Sequence, residues 1–248
     1  MTKSEQYRKK LETLDRWDEY LMQASGLPGP RGNLELAQVV ADLGDAALFE
    51  RYLRLDAETA PVNSPLEFLA FCGAVGLGRL IAEGQRQRLS ALRGFASDPR
   101  WRMREGVAMA LQRLGDADMD ALLEEMGRWC TGNFLEQRAA AAAVCEPRLL
   151  KQARHARAAL VLLDRITAGL RGAPDRKAED FLVLRKGLAY CWSVAAAALP
   201  EAGKPAMEKW LVETDKDIRW IMKENLKKDR LLRMDAAWVR AWTARLDA

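Results

Sequence analysis

The sequence predicts an all-α protein built as a stack of helix-turn-helix repeats, an α-solenoid, and three observations lead to that class. Apolar residues recur at helical spacing in almost every segment, and no run alternates apolar and polar residues as a strand does. Helix starts are written by a capping residue followed by proline, at Ser64-Pro65 and again at Asp98-Pro99. The chain also matches itself at an offset of 34 residues, since SPLEFLAFCGAV at 64–75 and DPRWRMREGVAM at 98–109 both run from cap to proline to apolar helix. That period is typical of helical repeats, and one helix pair alone cannot bury both its apolar faces.

In chain order, residues 1–45 read as N-terminal capping helices. The first of them carries Tyr7, Leu11, Leu14, Trp17 and Leu21 on one stripe and stops at SGLPGPRGN, where glycine and proline forbid continuation. Residues 46–230 read as the repeats. Ser64 and Glu67 have capping-box spacing, the copy at 98–109 follows QRQRLSALRGFA, and TGNFLEQRAAAA at 131–142 follows DMDALLEEMGRWC. A weaker copy lies near EDFLVLRKGLA at 179–189. The last, DIRWIMKENL at 217–226, sets Asp217, Arg219, Trp220, Met222 and Glu224 opposite Asp98, Arg100, Trp101, Met103 and Glu105. Residues 231–248 read as a C-terminal capping helix bearing Trp238 and Trp242, and the whole of 1–248 as a single domain.

Composition narrows function more than it assigns it. The 248 residues are 49% apolar, enough for a continuous core, and 39 Lys and Arg against 35 Asp and Glu permit an anionic partner without demanding one. Four scattered cysteines form no C-x-x-C pair, so neither a zinc site nor a disulfide framework is expected. The charged N-terminus lacks the apolar core of a signal peptide, and no stretch reaches the roughly 18 uninterrupted apolar residues of a membrane span. A cytoplasmic protein with no membrane association, no cofactor and no metal is the expectation. His155 is the only histidine, which leaves little for histidine-based catalysis, and GAVGLG at 73–78 is better suited to close helix packing than to holding phosphate.

The repeated helix has two faces. With Met103 as zero and 100° per residue, Val107, Ala110, Leu111 and Leu114 fall within about 80° and define the core stripe, while Trp101 and Glu105 fall opposite. The last copy gathers Ile218, Ile221, Met222 and Leu226 and leaves Trp220 and Glu224 outside; the third copy points Phe134 and Arg138 away from its alanines. The expected binding groove is therefore Trp101, Arg104, Phe134, Arg138, Arg219, Trp220 and Lys223, flanked by Arg100, Arg102 and Lys227. Aromatic faces beside cations suit a protein or a nucleic acid. A second basic stretch, RLLKQARHARAALVLLDR at 148–165, places Arg148, Lys151, Arg154, His155 and Arg157 on the outer face of a helix.

Asp98, Pro99, Arg104, Val107, Ala108, Ala110 and Leu111 make DPRWRMREGVAMALQRLGD similar to the HEAT-like repeat family, and the resemblance extends as a repeat from roughly 46 to 230. It implies an α-solenoid whose second helices line a concave surface and, for function, a non-catalytic binding scaffold. SDPRWRMRE also resembles in outline the groove segment of the HEAT-like alkylpurine DNA glycosylases. That resemblance implies an alternative, a damaged-DNA-binding protein or an alkylated-DNA glycosylase, in which Trp101 or Trp220 lies against an alkylated base and, in the enzyme, Glu105 or Glu224 stabilises positive charge as the glycosidic bond breaks. The aromatic arrangement around the catalytic Asp of those enzymes has no counterpart here, and no catalytic residue is assigned in the leading reading.

Overall fold

The first predicted helix is broken in two. A computed structural model of the protein, describing residues 1–247, places α1 at Lys3–Glu12 and α2 at Asp18–Ala24. The reason is local: Thr13 closes α1 through its hydroxyl on the Lys10 carbonyl, and the Trp17 indole N–H turns back to the Leu11 carbonyl, 3.0 Å away. Trp17 thus serves the end of α1 instead of continuing its stripe. Downstream, the all-helical class holds, for the described residues form fourteen α-helices and no strand.

The chain divides into two compact units, Met1–Ala117 and Asp118–Ala248. The first unit is organised around α5 (Pro65–Ala82), which packs against α2, α3 (Leu34–Leu43), α4 (Ala46–Leu53), α6 (Leu89–Phe95) and α7 (Trp101–Ala117). By length and composition alone α5 could cross a bilayer, but it lies inside this unit with Phe68, Phe71, Cys72 and Val75 buried. GAVGLG is its packing surface. Gly76 admits the Phe49 ring where a side chain would stand, and a Cβ at Gly78 would meet the Ala110 backbone of α7 at 2.4 Å.

In the second unit α8 (Met119–Trp129) pairs with α9 (Phe134–Val144), α10 (Ala153–Gly169) with α11 (Glu179–Ala198), and α12 (Pro200–Leu211) with α13 (Lys216–Leu226). The first members touch in the order α8, α10, α12, and the second members in the order α9, α11, α13. Asn225 ties α13 to α11 by accepting from the Ser193 N–H at 2.8 Å and donating to the Leu188 carbonyl at 3.0 Å, with its side chain fully buried. Asn225→Leu should therefore cost about 3 kcal/mol in urea unfolding, because two buried backbone groups lose their partners; a loss under about 1 kcal/mol would remove this assignment. The last helix, α14 (Asp229–Asp247), is two segments meeting at the non-helical Asp235, whose carboxylate caps the second by accepting from the Trp238 N–H. Trp238 and Trp242 both donate their indole N–H to Glu208 of α12.

Helix starts depart from the aligned copies in an informative way. Ser64 caps α5 as expected, but the Glu67 carboxylate turns to the Asn63 N–H instead of returning to Ser64, and Glu67 is wholly buried. Regular α7 begins at Trp101, and Asp98, three residues before it, accepts from the Arg100 N–H and holds the Arg100 guanidinium. The caps of α9 and α13 are Asn133 and Asp215, not the aligned Thr131 and Asp217. Trp101 and Phe134 consequently share the first position of their helices, whereas Trp220 sits one turn further in. The basic stretch at 148–165 is likewise interrupted, with a 3-10 turn at Pro147–Leu149 before α10.

Candidate functional site

The core stripe of α7 stands as read, with Met103, Val107, Ala110, Leu111 and Leu114 fully buried. The arginines beside it do not flank a groove. Arg100, Arg102 and Arg104 are all buried, and each guanidinium is consumed by the fold. Arg100 pairs with Asp98 at 2.7 Å and donates to the carbonyls of Leu55, Asp56 and Ala60. Arg102 reaches Glu67 at 3.2 Å and the Gly29 carbonyl at 2.7 Å. Arg104 donates to the carbonyls of Asp98 and Pro99, closing the turn that precedes its own helix. Residues two apart on a helix do not share a face, so the spacing 100, 102, 104 already forbade a common outward row.

Trp101 remains 44% exposed. One face of its ring is covered by the Arg102 guanidinium, 4.3 Å from the ring centre. Glu105, one turn on, is half-buried.

In the second unit Phe134 is half-buried and packs edge-on against the buried Phe181, ring centres 5.6 Å apart. The stem of the half-buried Arg138 lies over Gly187, which has no side chain to obstruct it. Arg219 donates to the Leu246 carbonyl at 2.9 Å, and Glu224 pairs with Lys227. Lys223 lies half-buried on the same helix. Trp220 is half-buried beneath Arg185, whose guanidinium stands 4.0 Å from its ring and 3.3 Å from Asp217. Arg176 completes the group by bridging Asp217 and Asp215. Burial alone would raise the Asp215 carboxyl, but Arg176 and the N–H groups of Ile218 and Asp217 outweigh it and hold the group below the ordinary carboxylate range.

The same construction thus occurs once in each unit: a tryptophan, an arginine on its face, and a buried carboxylate behind the arginine. Trp101, Arg102 and Glu67 form one; Trp220, Arg185 and Asp217 form the other. Sequence reasoning found both tryptophans and missed the roles of Glu67 and Arg185, whose separation from the tryptophans by 34 and 35 residues was the available signal. Chemically, the construction at Trp101 presents aromatic surface stiffened by an ion pair, whereas Trp220 lies half-buried under its arginine. The guanidinium is already engaged and is not held out for phosphate.

The second basic stretch has a different fate. His155 is buried, with its Nε2 3.4 Å from Asp120. Arg154, Arg157, Ala158, Val161 and Arg165 line one side of an open cleft of about 510 Å³, and Leu123, Gly127 and Cys130 line the other. Among the described residues no group of three or more His, Cys, Asp and Glu is placed to hold a metal ion. No protein-family model matches the chain, and no curated protein matches it either.

Proposed function

We propose that the chain is a non-catalytic HEAT-like repeat protein, an α-solenoid acting as a binding scaffold in the cytoplasm, with a protein as its partner. Support for the repeat reading comes from side-chain contacts within each unit that recur at one repeat length. Asp18 with Tyr52 and Asp120 with Arg154 are 34 residues apart; Glu67 with Arg102 and Cys130 with Arg165 are 35 apart. In the second unit two rows of helices, each touching the next member of its own row, have the packing that stacked helix pairs require.

The observation that carries the choice of partner is the internal commitment of the cations around the exposed Trp101 and the half-buried Phe134 and Trp220. A nucleic-acid surface needs Lys and Arg turned to solvent along a phosphate track, whereas Arg100, Arg102, Arg104 and Arg219 are spent on carbonyls and carboxylates. Apolar and aromatic surface with ion pairs beneath it suits a protein.

Fluorescence anisotropy with labelled single- and double-stranded DNA and RNA, at about 50 mM salt, tests the choice. No saturable binding tighter than the roughly micromolar non-specific range is expected. Tight binding that collapses with added salt would transfer the surface to nucleic acid. Release of free base from methylated DNA, lost in Glu105→Gln or Glu224→Gln, would establish the glycosylase instead.

A further inference from the structure

The cleft between α8 and α10 carries charge and shape that the scaffold itself does not use. On α10, Arg154, Arg157, Ala158, Val161 and Arg165 follow the spacing of one helical face, and all five line the cleft. Val161, at the centre of this 17-residue helix, is 65% exposed and turns its apolar side chain into the cleft. Opposite it, α8 supplies Leu123, Gly127 and Cys130. Gly127 has no heavy atom within 4 Å of the place where a Cβ would stand, so the wall is notched at its middle.

The two helices run side by side in the same direction. Asp120 near the start of α8 meets Arg154 near the start of α10, and Cys130 at the end of α8 meets Arg165 near the end of α10. The groove is therefore straight for the 11 residues from Arg154 to Arg165, about 16 Å at the rise of an α-helix.

The charges along it are only partly satisfied. Arg154 is paired with Asp120, but Arg157 has no acidic partner among the described residues, and Arg165 has only the Cys130 sulfur at 3.8 Å. An apolar floor therefore lies under a row of cations, two of them uncompensated and about two helical turns apart. A small amphiphile with one anionic head would need its cations gathered at one end. A phosphate backbone would need aromatic or polar lining instead of leucine, valine and alanine. An amphipathic helix with apolar residues along one stripe and carboxylates beside it matches both the length and the spacing of the charges.

We infer that the α8/α10 groove binds an acidic amphipathic helix of a partner protein, with an apolar side chain seated in the notch over Gly127 between Leu123 and Val161, and carboxylates on Arg157 and Arg165. The inference rests on the reading of the chain as a protein-binding scaffold, and it adds the place and the chemistry of the partner.

The test is a display library of 16-residue peptides selected on the full chain and counter-selected on the double variant Arg157→Glu, Val161→Glu. Both positions are exposed and Arg157 has no partner to lose, so the variant folds, as circular dichroism and its melting profile will check. Selection is expected to enrich helices with apolar residues at three- and four-residue spacing flanked by Asp and Glu, binding the double variant at least tenfold more weakly. Enriched peptides that bind native chain and variant equally would overturn the groove while leaving the scaffold reading standing. A selection that enriches nothing would sink both. Enrichment of basic or uncharged peptides would overturn the inference. So would an empty selection accompanied by Arg157-dependent binding to phosphatidylserine vesicles, since a membrane surface would then be the occupant.

Discussion

Arg102→Met should destabilise the chain by about 3–5 kcal/mol in urea unfolding, the expected cost of stranding one member of a buried ion pair. Glu67 is fully buried, and its partner Arg102 has a side chain only 6% exposed. Methionine fills much of the space but supplies no donor, so Glu67 would keep only the Asn63 N–H, and the Gly29 carbonyl would lose its guanidinium bond. The stranded charge makes up most of that cost, and a second variant isolates it. Glu67→Gln/Arg102→Met removes both charges while the Gln oxygen can still accept from Asn63, so the double variant should be more stable than Arg102→Met alone. If Arg102→Met costs less than about 1 kcal/mol, or the double variant is the weaker of the two, the pair does not hold this region together. Loss of the stacked guanidinium should also redden Trp101 emission, since the ring would gain water on its covered face.

Gly78→Val should be comparably damaging, for a steric reason. The new Cβ would stand 2.4 Å from the Ala110 Cα and 2.6 Å from its carbonyl oxygen. These are backbone atoms of α7 and cannot rotate away, so α5 and α7 must separate along an extensive helix contact. Alanine already introduces that Cβ and should cost about 1–3 kcal/mol; valine should exceed it. Gly127 provides the contrast. It also lies inside a helix, but nothing stands within 4 Å of its missing Cβ. Gly127→Ala should raise stability by up to about 1 kcal/mol through helix propensity alone, while filling the notch in the α8/α10 groove. Equal effects at the two glycines in thermal or urea unfolding would show that the close approach of α5 and α7 is not what Gly78 provides.

What the sequence made legible was local. The core stripe of α7, the Ser64 cap and the packing role of GAVGLG follow from periodicity and capping chemistry within a few residues, and all three are present in the structure. The buried arginines were not legible because their partners are remote in sequence. The carbonyls that hold Arg100 belong to Leu55, Asp56 and Ala60, forty or more residues earlier, in a loop whose path no local pattern specifies. The break between α1 and α2 escaped for the converse reason: Trp17 fits the apolar stripe, yet its indole N–H is used to close the preceding helix. The cleft escaped because it requires a glycine on one helix and a valine on another to be placed face to face. Residues whose role depends on pairing two helices remote in sequence are the ones a one-dimensional reading assigns by default to the surface.

The recurrence of side-chain contacts near a separation of 34 residues also bears on how the chain acquires its structure. Closing loops of that length costs little entropy each time, and no long-range strand pairing has to be found first. As the polypeptide leaves the ribosome, a helix can dock once a partner about 34 residues on has emerged, the separation at which Arg154 meets Asp120 and Arg102 meets Glu67. In the second unit, order can therefore grow from the N-terminal side during synthesis, whereas α2, α3 and α4 of the first unit wait for α5, their common partner.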